Sequence, residues 1–140
     1  MTKVLLDTDI LLDFFFDRHP HSETAAVILS LCESNRIEGF VTPVIVSNLY
    51  YLLRKTASHA LVIDKLRLLM SIVNVLVIDK KTVLQALYSP FKDFEDALQN
   101  YAAETSQVIN IILTRNIKDY KHSTLSVQTP ADFLKMIEYA

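Results

Sequence analysis

The sequence contains a single glycine, Gly39, in 140 residues, and that scarcity removes whole classes of function. Gly-rich phosphate cradles need backbone amides to approach a ligand closely, and side chains obstruct the approach. One glycine builds neither a dinucleotide fingerprint nor a P-loop, so nucleotide enzymes of those designs are excluded. Cysteine is equally scarce. Cys32 alone permits no internal disulfide and no Cys-rich zinc site, and within the apolar run 25–32 it reads as a buried core thiol. No hydrophobic run approaches the roughly 18 residues that a spanning helix needs. The N-terminal apolar stretch is broken by Asp7, Asp9 and Asp13, carboxylates that are costly in a secretion signal or membrane span. The expectation is a soluble, cytoplasmic protein with no membrane partner. Net positive charge is missing as well. At −2, the chain has no overall field to capture nucleic acid, which would need a local basic patch or metal ions that reverse the sign of an acidic site.

What is present is ample apolar material. A hydrophobic content of 51% argues against disorder, and the length fits one domain, residues 1–140. Apolar runs of β-branched character predict strands at residues 3–6, 37–42, 73–78, 108–113 and 125–128. Helical spacing fills the intervals. A short helix covers 10–16, a second starts at Pro20–Glu23, and Pro43 opens a third. Ser58 precedes a helix over 60–71 and Asp79 caps one over 80–88. Asp93 starts another, to about Thr105, and Thr129-Pro130 caps the last, which runs to the C-terminus. Strands alternating with helices predict an α/β fold: a parallel sheet covered on both faces, in three layers.

In such sheets ligands bind beyond the carboxyl ends of the strands, and acids fall there. Asp7 ends the first strand and Asp9 follows it. Asp93 and Asp96 lie at the start of the helix before the fourth strand. Asp119 lies in the polar turn after that strand, three residues beyond Asn116. Carboxylates gathered in this way repel unless a cation or proton intervenes, and oxygen-only ligands suit Mg²⁺ or Mn²⁺. Ordinary structural roles compete with this reading. Asp93 is a good helix N-cap, with Asp96 completing a capping-box-like pattern. Asp9 also suits a helix cap, and Asp119 a turn. Asp7 has no such simple alternative. The four histidines, His19, His21, His59 and His122, are scattered and read as surface residues.

Three segments carry a resemblance. Leu5-Leu6-Asp7-Thr8-Asp9-Ile10-Leu11-Leu12-Asp13, then Asp93-Phe94-Glu95-Asp96-Ala97-Leu98, then Leu113-Thr114-Arg115-Asn116-Ile117-Lys118-Asp119-Tyr120 resemble, in order and spacing, the motifs of the PIN domain family, whose best-known members are VapC-type toxin ribonucleases. The resemblance implies a parallel sheet whose acids meet in one pocket. Asp7, Asp96 and Asp119 would be catalytic metal ligands for Mg²⁺ or Mn²⁺, with Asn116 also coordinating and Asp9, Asn48 and Asp93 auxiliary. The implied chemistry is metal-dependent hydrolysis of RNA phosphodiester bonds, the implied partners a small antitoxin and a second copy of the chain. Many family members carry Glu where Asn48 stands; an amide can coordinate, but brings no charge and is no base. A domain that binds RNA or a partner protein without cutting is therefore the alternative.

Arg54, Lys55, Arg115 and Lys118 are the cations available to grip an RNA backbone, although Arg54 and Lys55 also suit a solvated helix end. Tyr50 and Tyr51 suit base stacking or packing. Asp7-Thr8-Asp9 also resembles the Asp-x-Asp of haloacid-dehalogenase phosphatases. That family expects Thr or Val where Leu11 stands and a paired acid motif late in the chain, which Asp93 and Asp96 do not form.

Overall fold

The protein, here as a computed structural model, is described over residues 1–138; the expected continuation of the last helix to residue 140 lies outside them. Five parallel strands, β1 (Lys3–Leu6), β2 (Glu38–Val41), β3 (Val73–Val75), β4 (Ile111–Leu113) and β5 (Ser126–Gln128), form one sheet in the order β3-β2-β1-β4-β5. The helices are α1 (Thr8–Phe15), α2 (His21–Glu33), α3 (Pro43–Leu53), α4 (His59–Met70), α5 (Lys80–Leu87), α6 (Phe94–Ser106) and α7 (Pro130–Glu138). A 3₁₀ helix, Ile117–Tyr120, follows β4. This is the three-layer α/β/α architecture predicted from the alternating pattern.

Both faces of the sheet are covered. Val4, Leu5 and Leu6 point alternately to opposite faces, yet all three are fully buried, as are Ile112 and Leu113 beside them. Right-handed crossovers explain the layering. The chain moves outward from β1 to β2 to β3, then returns past β1 to β4, so its helices change face on the return. The order therefore reverses between β1 and β4, and a crevice opens at their carboxyl ends.

Four strands are shorter than the runs that announced them, β5 only by Leu125. Leu76 still donates its amide to the Val41 carbonyl at 2.8 Å, after which Val77 emerges into solvent with 77% of its surface exposed. Before β4, Asn110 donates to the Lys3 carbonyl, but Val108 is exposed and belongs to the turn that leaves α6. β2 likewise stops short of Thr42, which leaves the sheet to cap α3 by accepting from the Ile45 amide at 3.2 Å. At the N-terminus the chain turns sooner than predicted. α1 begins at Thr8, so Asp7 rather than Asp9 is its N-cap.

Glycine scarcity has visible consequences. The left-handed positions fall to Asp17, Asn35 and Gln107, at φ 50°, 59° and 59°, the last two ending α2 and α6 where a glycine is usual. Gly39 itself serves packing. A Cβ built there would lie 2.7 Å from Cys32 Sγ and 3.2 Å from a Val73 methyl, so β2 and α2 close together only without a side chain. The same closeness keeps Cys32 buried and pushes its thiol pKa up to about 11, by desolvation. Gly39→Ala is expected to lower the free energy of unfolding by about 1–3 kcal/mol through overpacking. In a double-mutant cycle read by denaturant unfolding, Cys32→Ala should recover part of that loss; strictly additive losses would contradict the contact.

Candidate active site

The site is built by strand register. Leu6 pairs with Leu113, and the Asp7 amide donates to the Leu113 carbonyl at 3.0 Å. The next residues on the two strands, Asp7 and Thr114, thus emerge side by side at the crevice. Thr114 is fully buried, and its hydroxyl donates to Asp7 Oδ2 at 2.9 Å. The Thr8 amide donates to Asp7 Oδ1 at 2.8 Å. Asp7 therefore caps a helix and stands in the site at once. The sequence offered no such structural role for Asp7; the start of α1 at Thr8 gives it one.

Asp9, in the first turn of α1, faces the segment after β4. Its Oδ2 accepts from the Arg115 amide and from Asn116 Nδ2, both at 3.1 Å. Its Oδ1 is buried with no hydrogen-bond partner. Asp96 arrives from the first turn of α6, where its amide is held at 2.9 Å by the side chain of Asp93, the N-cap. Asp119 arrives on the 3₁₀ helix, a more ordered element than the polar turn predicted there. Asp7, Asp9, Asp96, Asp119, Asn48 and Asn116 line one cavity of about 470 Å³, together with Thr8, Glu95, Gln99 and Tyr51. Asp93 lines the adjoining cavity with Lys118 instead.

The electrostatics are those of crowded acids. Burial first, then the charge of Asp9, pushes the Asp7 pKa up to about 6, against hydrogen bonds that pull it down. Asp96 is pushed up to about 7, again by burial first, then by Asp7, Asp93, Asp119 and Glu95. Asp9 is also raised, chiefly by burial, with the Arg115 amide opposing. The Tyr120 hydroxyl, on a residue only 2% exposed, has no well-formed hydrogen bond. Its pKa is raised by burial, then by Asp7 and Asp96.

Several residues have different partners from those expected. Arg115 does not extend toward a phosphate. Its Nε and Nη2 donate to the two oxygens of Asp13, at 2.7 and 3.1 Å, and Asp13 is only 1% exposed. A guanidinium is the natural partner for a buried carboxylate, and this pair ties α1 to the segment that carries Thr114 and Asn116. An acid inside the apolar run 10–16 was the available signal for such a tie. Arg54 donates to the Ala57 carbonyl at 2.9 Å, closing the end of α3, and neither it nor Lys55 lines the acidic cavity. Tyr50 bonds through its hydroxyl to His59 Nδ1 at 2.8 Å, leaving Tyr51, 69% exposed, as the aromatic at the cavity.

Asn48 also has an occupation invisible in the sequence. Its Nδ2 donates to Glu95 Oε2 at 2.8 Å, so a carboxylate from α6 stands beside the neutral amide of α3. Gln99, one helical turn further along α6, accepts from the buried Thr42 hydroxyl and fixes α6 to the start of α3. Neither Glu95 nor Gln99 carries a sequence signal of its own.

A PIN domain family model matches residues 3–118. The chain belongs to the PIN domain family. The fold agrees with solved structures at low sequence identity. VapBC2 of Rickettsia felis, bound to a DNA fragment from their promoter, superposes with TM-score 0.69 at 17% identity, over 91% of this chain and 98% of that one. VapBC-1 of nontypeable Haemophilus influenzae gives 0.69 at 18%, over 93% and 99%. VapC20 of Mycobacterium tuberculosis, a sarcin-ricin loop cleaving toxin, gives 0.59 at 16%, over 78% and 86%. None of the curated proteins matches the chain.

The fit to a divalent cation has two sides. The donors are all oxygen, as a hard cation requires, and the unpartnered Asp9 Oδ1 together with the raised acids marks a negative charge that nothing yet balances. Among the described residues, however, no three His, Cys, Asp or Glu side chains are grouped closely enough to hold an ion as they stand. The donor chemistry fits; the acids still have to draw together.

Crowding of this kind makes stability depend on pH with a definite sign. An acid raised in the fold stays protonated where the unfolded chain has already ionised, so its contribution falls as pH rises from about 4 to about 7. Asp96→Asn removes one such group. It is expected to stabilise the protein at pH 8 by about 1 kcal/mol, discounted for solvent screening, and to leave stability unchanged near pH 4. Thermal melts at the two pH values decide; equal effects at both would contradict the crowding.

Proposed function

We propose that this PIN domain is a Mg²⁺- or Mn²⁺-dependent endoribonuclease. The observation that carries the reading is the convergence of Asp7, Asp96 and Asp119, from three different elements, on one cavity at the reversal point of the sheet. Family membership and the fold shared with VapC20, a sarcin-ricin loop cleaving toxin by its description, support it.

Asp7, Asp96, Asp119 and the Asn116 amide oxygen would hold the ion, with Asp9 beside them. A bound ion of this type polarises the phosphate and lowers the pKa of a water molecule. The chain's own residues do the rest. Thr8 and Thr114 fix the two oxygens of Asp7, and the Asp13–Arg115 pair holds the segment from which Asn116 reaches Asp9. Glu95, held by Asn48 on the wall of the same cavity, is the carboxylate placed to orient the attacking water or accept its proton. On this reading the neutral Asn48 is no defect, because a Glu at 48 would set two carboxylates at hydrogen-bond distance. Tyr51 offers its exposed ring to a base.

The toxin half of a toxin–antitoxin pair is the proposed biological setting, since the neighbouring structures include VapBC complexes. An apolar groove of about 520 Å³, lined by Phe14, Phe15, Leu29, Leu68, Leu69 and Ile72 among others, suits an apolar segment of an antitoxin, whose basic side chain would then enter the acidic cavity. Exposed Val77, Leu87 and Tyr88 offer an apolar face to a second copy of the chain. No described helix is long and apolar enough to cross a membrane, and we place the protein in the cytoplasm.

A binding-only domain is the second reading, favoured by the absence of any closed ligand group among the described residues. Cleavage of a structured RNA in Mn²⁺ separates the two. Wild type should cut, and Asp7→Asn should cut more slowly by roughly 100-fold or more. Equal trace activity in both would leave the binding-only domain.

A further inference from the structure

Beside the acidic cavity lies a second one of about 350 Å³, and the two share Asp96 and Asp119 as a common wall. The rest of its lining is mostly basic, with Asp93 the one further acid. It carries Lys92 from the loop before α6, Lys118 from the 3₁₀ helix, and Lys121 and His122 from the turn after it. The three lysines stand among three carboxylates, Asp93, Asp96 and Asp119, in a chain of net charge −2. Ammonium groups this near to acids would ordinarily close onto them as ion pairs. Among the described residues, none of the three is within 4.0 Å of a carboxylate oxygen.

The basic side is also anchored. His122 packs edge-on against Phe91, with ring centroids 6.0 Å apart, and Phe91 packs against Tyr101 at 5.7 Å and Tyr120 at 6.2 Å. Tyr120 is buried and ends the 3₁₀ helix, while the Asp119 and Lys121 amides bond back to Asn116 and Lys118. The segment that presents Lys118 and Lys121 is therefore fixed from beneath, and their ammonium groups face a common space from a set backbone.

Resting on the ribonuclease reading, we propose that this cavity is a backbone subsite: Lys92, Lys118, Lys121 and His122 hold the RNA phosphate adjacent to the one that enters the acidic cavity. The shared wall fixes the arrangement. A strand whose scissile phosphate lies among Asp7, Asp96 and Asp119 carries its neighbouring phosphate past Asp96 and Asp119 into the basic hollow. Lysines suit this task because they act as point charges, neutralising phosphate without reading sequence. The local basic patch that an acidic chain needs for nucleic acid is thus supplied by residues around Lys118. Arg54, Lys55 and Arg115 are not part of it.

The test is salt-dependent binding of a short fluorescein-labelled single-stranded RNA, read by anisotropy in an Asp7→Asn background that does not cut. Each phosphate neutralised contributes about 0.7 to the slope of log K against log salt on single strands. Replacing Lys92, Lys118 and Lys121 together with Ala should therefore lower the slope by about 0.7, the share of the one phosphate they hold, and replacing all three with Arg should preserve it. Removing as much charge elsewhere, by Arg54→Ala, Lys55→Ala and Arg67→Ala, should leave the slope unchanged. An unchanged slope in the lysine variant, or an equal fall in the control, overturns the subsite while RNA binding stands. The Arg triple variant keeps the outcome readable if the Ala variant folds poorly, since loss of the slope there also overturns it. Absence of any salt-dependent RNA binding in the Asp7→Asn background sinks the ribonuclease reading, and the subsite with it.

Discussion

The pairing of β1 with β4 is the constraint on which the rest of the molecule depends. It sets Asp7 and Thr114 side by side at the reversal point of the sheet, in a place that buried strands on both sides deprive of solvent. Burial raises the free energy of charge there, and the arrival of Asp9 and Asp96 raises it further. A core that only needed to be stable would place apolar groups at these strand ends. The sequence places acids, and the surrounding structure holds them in position with Thr8, Thr114, Arg115 and Asn116 rather than neutralising them. Burial and like charge together hold the Asp7 and Asp96 carboxyls above the ordinary carboxylate range.

Much of this was legible in the order of residues. Strand and helix alternation predicts the three layers because period and β-branching report burial directly, and Val4, Leu5 and Leu6 of the first strand are buried as read. The acids that converge were legible too, from their places at the end of a buried strand and at the helix starts beside it, although the cap that Asp7 makes on α1 was not. Partners in space were not. That Arg115 meets Asp13 depends on how α1 lies against the segment after β4, and that Asn48 meets Glu95 depends on how α3 lies against α6. Sequence spacing carries neither distance. Strand ends were misjudged for a related reason: Val77 and Val108 have strand propensity, but propensity does not say where the ladder runs out of neighbours.

The substitution-like feature at Asn48 shows why contacts matter more than residue types. Taken alone, an amide where the resemblance led one to expect a carboxylate suggests a weakened site. In the fold, the amide holds Glu95 at 2.8 Å, and negative charge returns from the neighbouring helix. The two cavities adjoin through Asp96 and Asp119, and the lysines line only the second.

The central claim is that the site acids are crowded enough to stay partly protonated near neutral pH until a cation intervenes. Carboxyl ¹³C NMR titration of Asp7 and Asp96 tests it most directly. The account predicts apparent pKa values near 6 and 7 in the metal-free protein, both falling when Mg²⁺ is added. Titration of both residues near 4, unmoved by Mg²⁺, would contradict it.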